Sequence, residues 1–456
     1  MKFKIIMYLA LFSSLMPACN KKLDVAPQNT LTPSQIVSAD DVKAVLFGGY
    51  ATLQNANAFG EKYNTFTELL ANDNDIEWAG TFSDYDDLAN RAQTRESAVI
   101  YQVWANSYHT INVANIVLSK LSVITGDVKL VIEGEAKFLR ALTYFTLVNL
   151  FSKPYSAGSP QTNLGVPLIV TPVAGYDPER DKLPRATVEA VYTQVVADLT
   201  DAVSKLPSES ENFRANKYAA QAILSRVYLA QANYAAAATA ANAVIESGLY
   251  SLTSSFDKAF NNSVSSSEDI FAIQQSSQSN SGTSDFGITA FYSGDPIGRG
   301  EIQITPAHLA KYEVGDQRKN FFYNGSSISG SPGLLTSKWK DLYKAIPVVR
   351  LAEMYLTRAE ANFRKGGAQT GPNTALQDVN IIRNRSGLGS LSSISSASVI
   401  VNERFLELAF EGERFFTVKR LKLTVDGHTY NDAKLVLPIP QREIDLGNAL
   451  PQNEGY

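Results

Sequence analysis

The sequence predicts an all-α protein with a tetratricopeptide-like helical-repeat core, long irregular loops and one large insertion. Apolar residues recur at the spacing of an α-helix in eight segments, and two pairs of these segments share a repeat-like composition. Residues 248–347 are rich in Ser, Gly and Asn and show weak periodicity. We expect this insertion to be functional, because structureless connections of that length are rare in compact domains.

The predicted helices are bounded by start and stop signals. Thr187 suits the N-cap of one helix and Pro207 ends it, while Gly248 closes another. The eight predicted helices occupy residues 106–121, 131–151, 188–206, 216–231, 234–246, 349–364, 373–385 and 398–419.

Two helix pairs have the composition of tetratricopeptide-type repeats. Residues 228–237 place an aromatic residue, a tight turn and an alanine in that order, and residues 354–376 repeat the arrangement. Small alanines let two helices approach closely, while larger residues fill the neighbouring groove. Either pattern alone is common, but together they predict a helical-repeat core.

The N-terminus has the architecture of a bacterial lipoprotein signal peptide. Residues 1–18 combine a short basic start, an apolar centre too short to span a bilayer, and a small residue before Cys19. We expect this single cysteine to carry the lipid anchor at the first mature position, followed by a polar tether over residues 19–30. An ordinary secretory signal with an incidental cysteine is the alternative.

Composition and motif searches exclude several classes of function. The 41 basic and 45 acidic residues give a net charge of −4, whereas nucleic-acid binding needs a concentrated basic surface. One cysteine cannot form a disulfide framework or a zinc ribbon within the chain. His109, His308 and His428 stand in no metal-ligand spacing, and no hydrolase or phosphate-loop motif is present. We therefore expect no catalytic residue, metal centre or cofactor.

The segment 73–78, Asp-Asn-Asp-Ile-Glu-Trp, allows three interpretations. Its alternating oxygen donors are typical of calcium loops, but Trp78 stands where an EF-hand requires glycine. A second interpretation is a polar loop that bonds its own backbone. In the third, carboxylate and amide groups bind the hydroxyls of a saccharide, and Trp78 offers an apolar face to the sugar ring.

An acidic series, Glu403, Glu407 and Glu411, repeats every four residues within the predicted helix 398–419. Like charges at this spacing repel each other, so they need cationic partners. The candidate partners are Arg350, Arg358, Arg383, Arg385, Arg404 and Arg414. We interpret the series as partly buried ion pairs that dock the last helices; a charge-lined catalytic cleft is the alternative.

Six segments, in chain order, carry longer patterns. The first is Glu-Ala-Lys-Phe-Leu-Arg-Ala-Leu-Thr-Tyr-Phe over residues 135–145. The other five occupy residues 183–187, 350–361, 380–387, 403–414 and 437–456. Together they resemble the signatures of the SusD/RagB family of outer-membrane nutrient-binding lipoproteins.

This resemblance implies a single globular domain over residues 31–456, with four tetratricopeptide-like helix pairs supporting irregular loops. It implies a lipid-anchored, surface-exposed protein of the outer membrane that captures glycans for a SusC-like TonB-dependent transporter, without enzymatic activity. Two alternatives stay open: a surface glycoside hydrolase secreted with the same signal, and a family member whose cargo is peptide.

We expect the ligand surface to combine the loop at 72–87 with the insertion at 248–347, since function concentrates on loops held by a rigid frame. The resemblance places Trp78 and Trp339 close to aromatic residues that line the family's site. The expected contacts are the rings of Trp78, Tyr292 and Trp339, facing solvent, and the polar groups of Asp73, Asn74 and Asp75.

Overall fold

The computed structural model describes residues 33–456, except 174, 176, 178–181, 211–212, 284 and 447–449. The signal peptide, the lipidation site Cys19 and the tether over 19–30 lie outside the described residues and stay predictions. Among the helices that the structure describes, none combines the length and apolar character needed to cross a membrane.

The fold is dominated by helices, as the sequence predicts. The described α-helices are α1 Ala39–Gln54, α2 Lys62–Leu70, α3 Ser83–Ala89, α4 Ala98–Ser119, α5 Val128–Phe151, α6 Val188–Lys205, α7 Lys217–Ala230, α8 Tyr234–Ile245, α9 Ile288–Tyr292, α10 Pro306–Leu309, α11 Leu351–Lys365, α12 Ala375–Arg385, α13 Ala397–Glu407, α14 Arg414–Leu421 and α15 Gln441–Asp445. The strands are β1 Ile76–Trp78, β2 Leu164–Pro167, β3 Arg185–Thr187, β4 Asp269–Ile273, β5 Ile302–Ile304, β6 Phe322–Ser326, β7 Pro332–Thr336 and β8 Ile346–Arg350.

The long helices pack in one continuous row. Helix α1 packs on α4, α4 on α5, and each helix from α5 to α8 on the next, while α8 packs on α11, which contacts α12 and α13. Small residues set the close contacts. Ala237, Ala238 and Ala361 are fully buried between α8 and α11, and Gly49 of α1 faces Leu139 of α5, where a Cβ would lie only 2.9 Å from a leucine methyl. The predicted helical-repeat core is therefore confirmed.

Polar residues begin these helices as the sequence indicates. The Thr187 hydroxyl accepts the N–H of Ala190 at the start of α6, and Asn216 caps α7 in the same way. Each cap satisfies backbone donors that the first helical turn leaves without partners.

The single predicted helix at 398–419 is wrong. Helix α13 ends at Glu407, and α14 begins only at Arg414. Between them, Phe410 and Gly412 have φ of 63° and 77°, and a Cβ at Gly412 would lie 2.8 Å from the Thr67 hydroxyl. The chain can turn here because Gly412 has no side chain: it adopts a positive φ that favours glycine and approaches α2 more closely than a residue with a Cβ could. Glu411 consequently does not lie on the same helix as Glu403 and Glu407.

The insertion over 248–347 contains most of the described strands. Strand β1, from the segment at 72–87, pairs antiparallel with β5, in the register Ile76 to Ile304 and Trp78 to Ile302. The resulting four-stranded sheet has the order β1-β5-β7-β6, while β4 pairs with β8 in a separate sheet. The two segments expected to form the ligand surface are thus neighbours in space.

Candidate functional site

Three aromatic side chains lie together where β1 meets the insertion: Trp78, Phe82 and Phe286, which we call the aromatic platform. The rings of Phe82 and Phe286 are nearly parallel, with centroids 6.2 Å apart and an interplanar angle of 5°. The side chain of Phe286 is 44% exposed, and Trp78 and Phe82 are half-buried. Beneath them, the fully buried Phe291 contacts both Trp78 and Phe82.

Local sequence fixes the position of Trp78. The indole ends β1 and stacks on Tyr85 of α3, with centroids 5.4 Å apart and an angle of 11°. The chain then passes directly over the indole at Gly80, where a Cβ would lie 2.3 Å from the ring. Only glycine permits this approach, so residues 78–85 hold the rings of Trp78 and Phe82 in place.

One guanidinium connects the two loops of the platform. The side chain of Arg299 lies 4.3 Å above the centroid of Phe82, a cation–π distance. It donates hydrogen bonds to Thr81 at 2.8 Å and to Asp285 at 3.0 Å, and it pairs with the buried Glu301 at 2.7 Å. Its charge is therefore compensated by carboxylates, and the platform presents ring faces beside neutralised polar groups.

A buried acid supports the platform from below. The Glu61 carboxylate is fully buried, accepts the Tyr85 hydroxyl at 3.0 Å and lies 3.4 Å from the Lys62 ammonium. Lys62 also lies 4.9 Å from the centroid of Phe286. Burial raises the pKa of Glu61 to about 7, although Lys62 and the hydrogen bond from Tyr85 oppose that shift.

Asp75 is occupied by protein groups. It is 5% exposed, and its carboxylate contacts His308 at 2.8 Å, Lys311 at 2.5 Å and Arg414 at 3.1 Å. Burial disfavours the charged form, but the hydrogen bond from His308 and the charges of Arg414 and Lys311 outweigh burial and lower the pKa of Asp75 to about 2. This carboxylate docks the loop at 72–87 onto α10 and α14, which argues against direct ligand contact.

Asp73 and Asn74 lie at the exposed start of the same loop. The Asp73 side chain is 46% exposed and accepts the N–H of Asp426 at 3.0 Å. Asn74 is exposed, has φ of 64°, and its carbonyl accepts the Thr305 hydroxyl at 2.6 Å. At about 3.3 Å per extended residue, Asp73 lies at most roughly 17 Å from Trp78 along the chain.

The expectation that Tyr292 and Trp339 face solvent is wrong. Tyr292 is fully buried, and its hydroxyl donates to the side chain of Asn64 at 3.1 Å. Trp339 is 4% exposed, and its indole N–H donates to the Phe410 carbonyl at 2.9 Å. Both rings pack the insertion against the helices, so they stabilise the fold and are withdrawn from the candidate site.

Comparisons with known proteins agree with this architecture. Residues 21–229 match a family model described as "Starch-binding associating with outer membrane", and residues 334–433 match the model of the SusD family. The chain belongs to the SusD/RagB family.

Relatives of this SusD/RagB chain extend along nearly its whole length. It is 27% identical to SusD-like protein P2 of Formosa agariphila, over 95% of this chain and 96% of that protein. A shorter stretch, 24% of the chain, is 33% identical to 21% of the starch-binding protein SusD of Bacteroides thetaiotaomicron.

Solved structures share the fold. A SusD superfamily protein of Bacteroides thetaiotaomicron is 26% identical, with a TM-score of 0.82 over 91% of this chain and all of that one. Surface glycan-binding protein A of Bacteroides fluxus, 21% identical, has a TM-score of 0.77 over 92% of this chain and all of that one.

The segments of this SusD/RagB protein at 350–361, 380–387 and 403–414 supply most of a buried charge network. Its members are Glu268, Asp316, Arg318, Lys338, Arg350, Arg383, Arg385, Glu403, Glu407 and Glu411, and none of their side chains is more than 8% exposed. Glu407 contacts Arg350 at 2.6 Å and Arg318 at 3.3 Å, and it also pairs with Arg385. The interpretation as ion pairs that dock the last helices is confirmed, and burial of Glu407 excludes it from an open cleft.

Three of the six arginines proposed as partners pair elsewhere. Arg358 binds Asp378 at 2.7 Å, Arg404 binds Glu413 at 2.7 Å, and Arg414 binds Asp75. Among the residues that the structure describes, no three His, Cys, Asp or Glu side chains are grouped so that they could hold a metal ion.

Sequence reasoning missed Phe82, Phe286 and Arg299. A usable signal exists for Phe286: it is an isolated aromatic residue in the polar run at 276–287, where nothing in the local pattern gives it a buried face. Phe82 likewise stands between Thr81 and Ser83. Arg299 has no comparable signal, because its role depends on loops that meet only in the folded chain.

Proposed function

We propose that this SusD/RagB protein binds a glycan on the aromatic platform and passes it to a TonB-dependent transporter of the outer membrane. The observation that carries the proposal is the exposed ring of Phe286, which lies parallel to the half-buried ring of Phe82 and shares this surface with the half-buried Trp78. Folded proteins rarely expose grouped apolar rings unless they bind something. The C–H faces of sugar rings are apolar and pack on aromatic faces, while their hydroxyls require polar groups at the rim.

The rim supplies those groups. Thr81 and Asp285 flank the rings and are exposed, and Asp73 and Asn74 extend the surface along the loop. Because Arg299 is paired with Asp285 and Glu301, the platform has no uncompensated positive charge that would select an anionic ligand. A glycan of several units, in contact with both ends of the loop at 72–87, fits this arrangement.

The names of relatives support the class of ligand. One is called a starch-binding protein and another a surface glycan-binding protein, and neither name describes an enzyme. A binding protein is also consistent with the failure of the sequence to supply a catalytic motif. The glycan class is thus our conclusion for this chain, in preference to peptide or to a glycoside hydrolase activity.

The test is affinity electrophoresis and calorimetry of the mature chain against starch, xylan, mannan and laminarin and their hexasaccharides. With the glycan that binds, Phe286→Ala should weaken binding about tenfold or more, because a ring is lost from the centre of the contact. The matched control is Phe363→Ala, which removes a 38% exposed ring from α11. Equal affinity of wild type and Phe286→Ala would place the glycan site elsewhere. Hydrolysis products after incubation of the chain with a glycan would favour the alternative that the protein is a glycoside hydrolase.

Delivery to a transporter requires that the protein reside at the outer membrane. We expect Cys19→Ala to abolish lipidation and release the mature chain from the membrane fraction of cells that lack the partner transporter. A variant that stays membrane-bound in those cells would contradict the lipid anchor. Co-purification of a SusC-like transporter with the wild-type chain from detergent-solubilised outer membranes tests the partnership itself.

A further inference from the structure

A second surface groove lies between α1, the chain just before α7 at Phe213, and residues 272–279 of the insertion. It encloses about 290 Å³. Phe47 of α1 and Phe213 give it an aromatic wall, and the polar side chains of Gln54, Gln274 and Ser276 also line it. No sequence pattern singled out this groove, and the platform does not use it.

The aromatic wall is unusually open to solvent. Phe47 is 41% exposed and Phe213 is 39% exposed, and their rings meet edge to face with centroids 6.0 Å apart. Within the part of the chain that the structure describes, only four phenylalanine side chains are exposed: these two, Phe286 of the platform, and Phe363. Two of the four therefore contact each other at one groove, although burial would be their favoured state.

The polar residues that line the groove supply hydrogen-bonding groups. Gln274 donates its amide N–H to Ser265, and its side-chain oxygen accepts no hydrogen bond from any residue that the structure describes. Gln54 accepts the Ser279 hydroxyl at 2.9 Å and retains a second lone pair on that oxygen. The Ser276 oxygen accepts the N–H of Ser279 at 3.1 Å and keeps its own proton for donation.

None of the described residues that line the groove is charged. Arg214 lies 5.6 Å from the centroid of Phe47, but it donates to the buried Glu135 at 3.0 Å. Tyr50 donates to the same carboxylate at 2.7 Å. An open pair of rings that shares one groove with amide and hydroxyl groups, with Arg214 paired, suits an uncharged and hydroxyl-rich ligand.

We propose that this groove is a second saccharide-binding subsite, for an uncharged sugar unit of the glycan that binds the platform. The inference rests on the proposed glycan-binding function. The segment 274–286 connects the two places, because it lines the groove at Gln274 and ends at Phe286 of the platform. Two subsites on one chain raise the affinity for a long polysaccharide above that for a short fragment, because binding at one subsite makes the second encounter intramolecular.

The experiment titrates the mature chain with the hexasaccharides of starch, xylan, mannan and laminarin and repeats the measurement with the four polysaccharides. Three variants are compared: Phe47→Ala/Phe213→Ala in the groove, Phe82→Ala/Phe286→Ala in the platform, and Phe363→Ala as the exposed-ring control.

Wild type should bind two hexasaccharides per chain, and the groove variant one. The groove variant should also bind the polysaccharide about tenfold more weakly at an unchanged melting temperature. Phe47→Tyr/Phe213→Tyr, which retains both rings, should restore binding if the alanine variant is less stable.

The outcomes separate the two proposals. A groove variant that matches wild type in stoichiometry and in polysaccharide affinity overturns the second subsite and leaves the platform standing. If instead the platform variant matches wild type while the groove variant loses all binding, the groove is the primary site and the platform proposal fails. A wild type that binds none of the four glycans overturns both.

Discussion

The buried charge network and the aromatic platform reverse the usual places of charged and apolar side chains: the network buries charged groups, and the platform leaves an aromatic ring exposed. In the network, arginines, a lysine and glutamates are at most 8% exposed, whereas Phe286 of the platform is 44% exposed. Charged groups lie inside because directional ion pairs fix how β8, α12 and α13 meet. The platform ring of Phe286 lies outside, and under the proposed function a ligand would supply its contacts. If that proposal holds, burial separates structural from functional residues in this chain better than residue type does.

The energetic consequences also differ. Burying paired charges costs desolvation that their attraction only partly offsets, so the network contributes little net stability while intact and is costly to break on one side. Removing an exposed ring from the platform should cost the fold little, and under the proposed function its effect falls on binding. Four predictions test this division, beginning with the largest expected effect.

Glu407→Ala should lower the free energy of unfolding by about 3–5 kcal/mol, because Arg350, Arg318 and Arg385 would lose a shared buried partner. Glycan affinity of the folded fraction should not change. Urea unfolding and calorimetry measure the two quantities, with Glu96→Ala, on an exposed pair with Arg95, as the control of small effect. Unchanged stability together with lost binding would move Glu407 into the ligand site.

Two buried acids should respond to pH in opposite directions. Burial would raise the pKa of Glu407, but four nearby cations, Arg385, Arg350, Arg318 and Lys338, lower it. Burial raises the pKa of Glu68 to about 7, because its main partner is only the N–H of Gly412. Protonated Glu68 stabilises the fold fully below its unfolded pKa of 4.5, and this contribution is lost as pH rises towards 7.

As the pH rises from 4.5 to 8, the free energy of unfolding of the wild type should therefore fall by up to about 3 kcal/mol relative to that of Glu68→Gln. The glutamine of this variant stays neutral at every pH and still accepts the Gly412 N–H. Chemical unfolding of both proteins at several pH values measures the difference. Parallel stability curves for the two proteins would show that Glu68 is charged in the folded state throughout this range.

Gly80→Ala should displace the indole of Trp78, because the new Cβ would lie 2.3 Å from the ring. We expect a loss of about 1–3 kcal/mol in stability, weaker glycan binding, and a shift in tryptophan emission. The control is Gly389→Ala, where a Cβ meets no atom within 4 Å. Binding that survives a displaced indole would remove Trp78 from the platform.

Tyr292→Phe should have the smallest effect. The variant loses one buried hydrogen bond, to Asn64, and we expect a stability loss of about 1 kcal/mol with unchanged glycan affinity. A melting curve and one titration are sufficient. Loss of affinity without loss of stability would return Tyr292 to the ligand site.

The sequence alone predicted the helices from α4 to α8. These helices carry apolar residues at helical spacing, and Thr187 caps α6 as expected, because both signals are local. The sequence analysis missed α1 and α2, for which it predicted no helix, and α3, a short helix in which Asp84, Asp86 and Asp87 are prominent. The sequence analysis also predicted one helix where the structure has α13 and α14, because the turn at Gly412 depends on a contact with Thr67 of α2.

The candidate site was predicted only in outline. The meeting of the loop at 72–87 with the insertion was expected, but which rings remain exposed was not. Trp339 is buried, and its indole N–H donates a hydrogen bond to the carbonyl of Phe410, which lies 71 residues away in the sequence. No local sequence pattern indicates so distant a partner. Phe286 stays exposed for the complementary reason: its polar neighbours place it on a surface loop, where Phe82 and Lys62 approach its ring.

The pairing of β1 with β5 also sets an order of assembly. Phe82 belongs to the first fifth of the chain, and its stacking partner Phe286 follows roughly 200 residues later. During synthesis from the N-terminus, the helices from α1 to α8 emerge before any of the insertion that completes the platform. We expect the contact between these two segments to form late in folding, because ordering the roughly 200 residues between them costs entropy before the contact can stabilise the fold. Under the proposed function, the platform can therefore bind ligand only after synthesis has passed Phe286, and not when the N-terminal half alone has emerged.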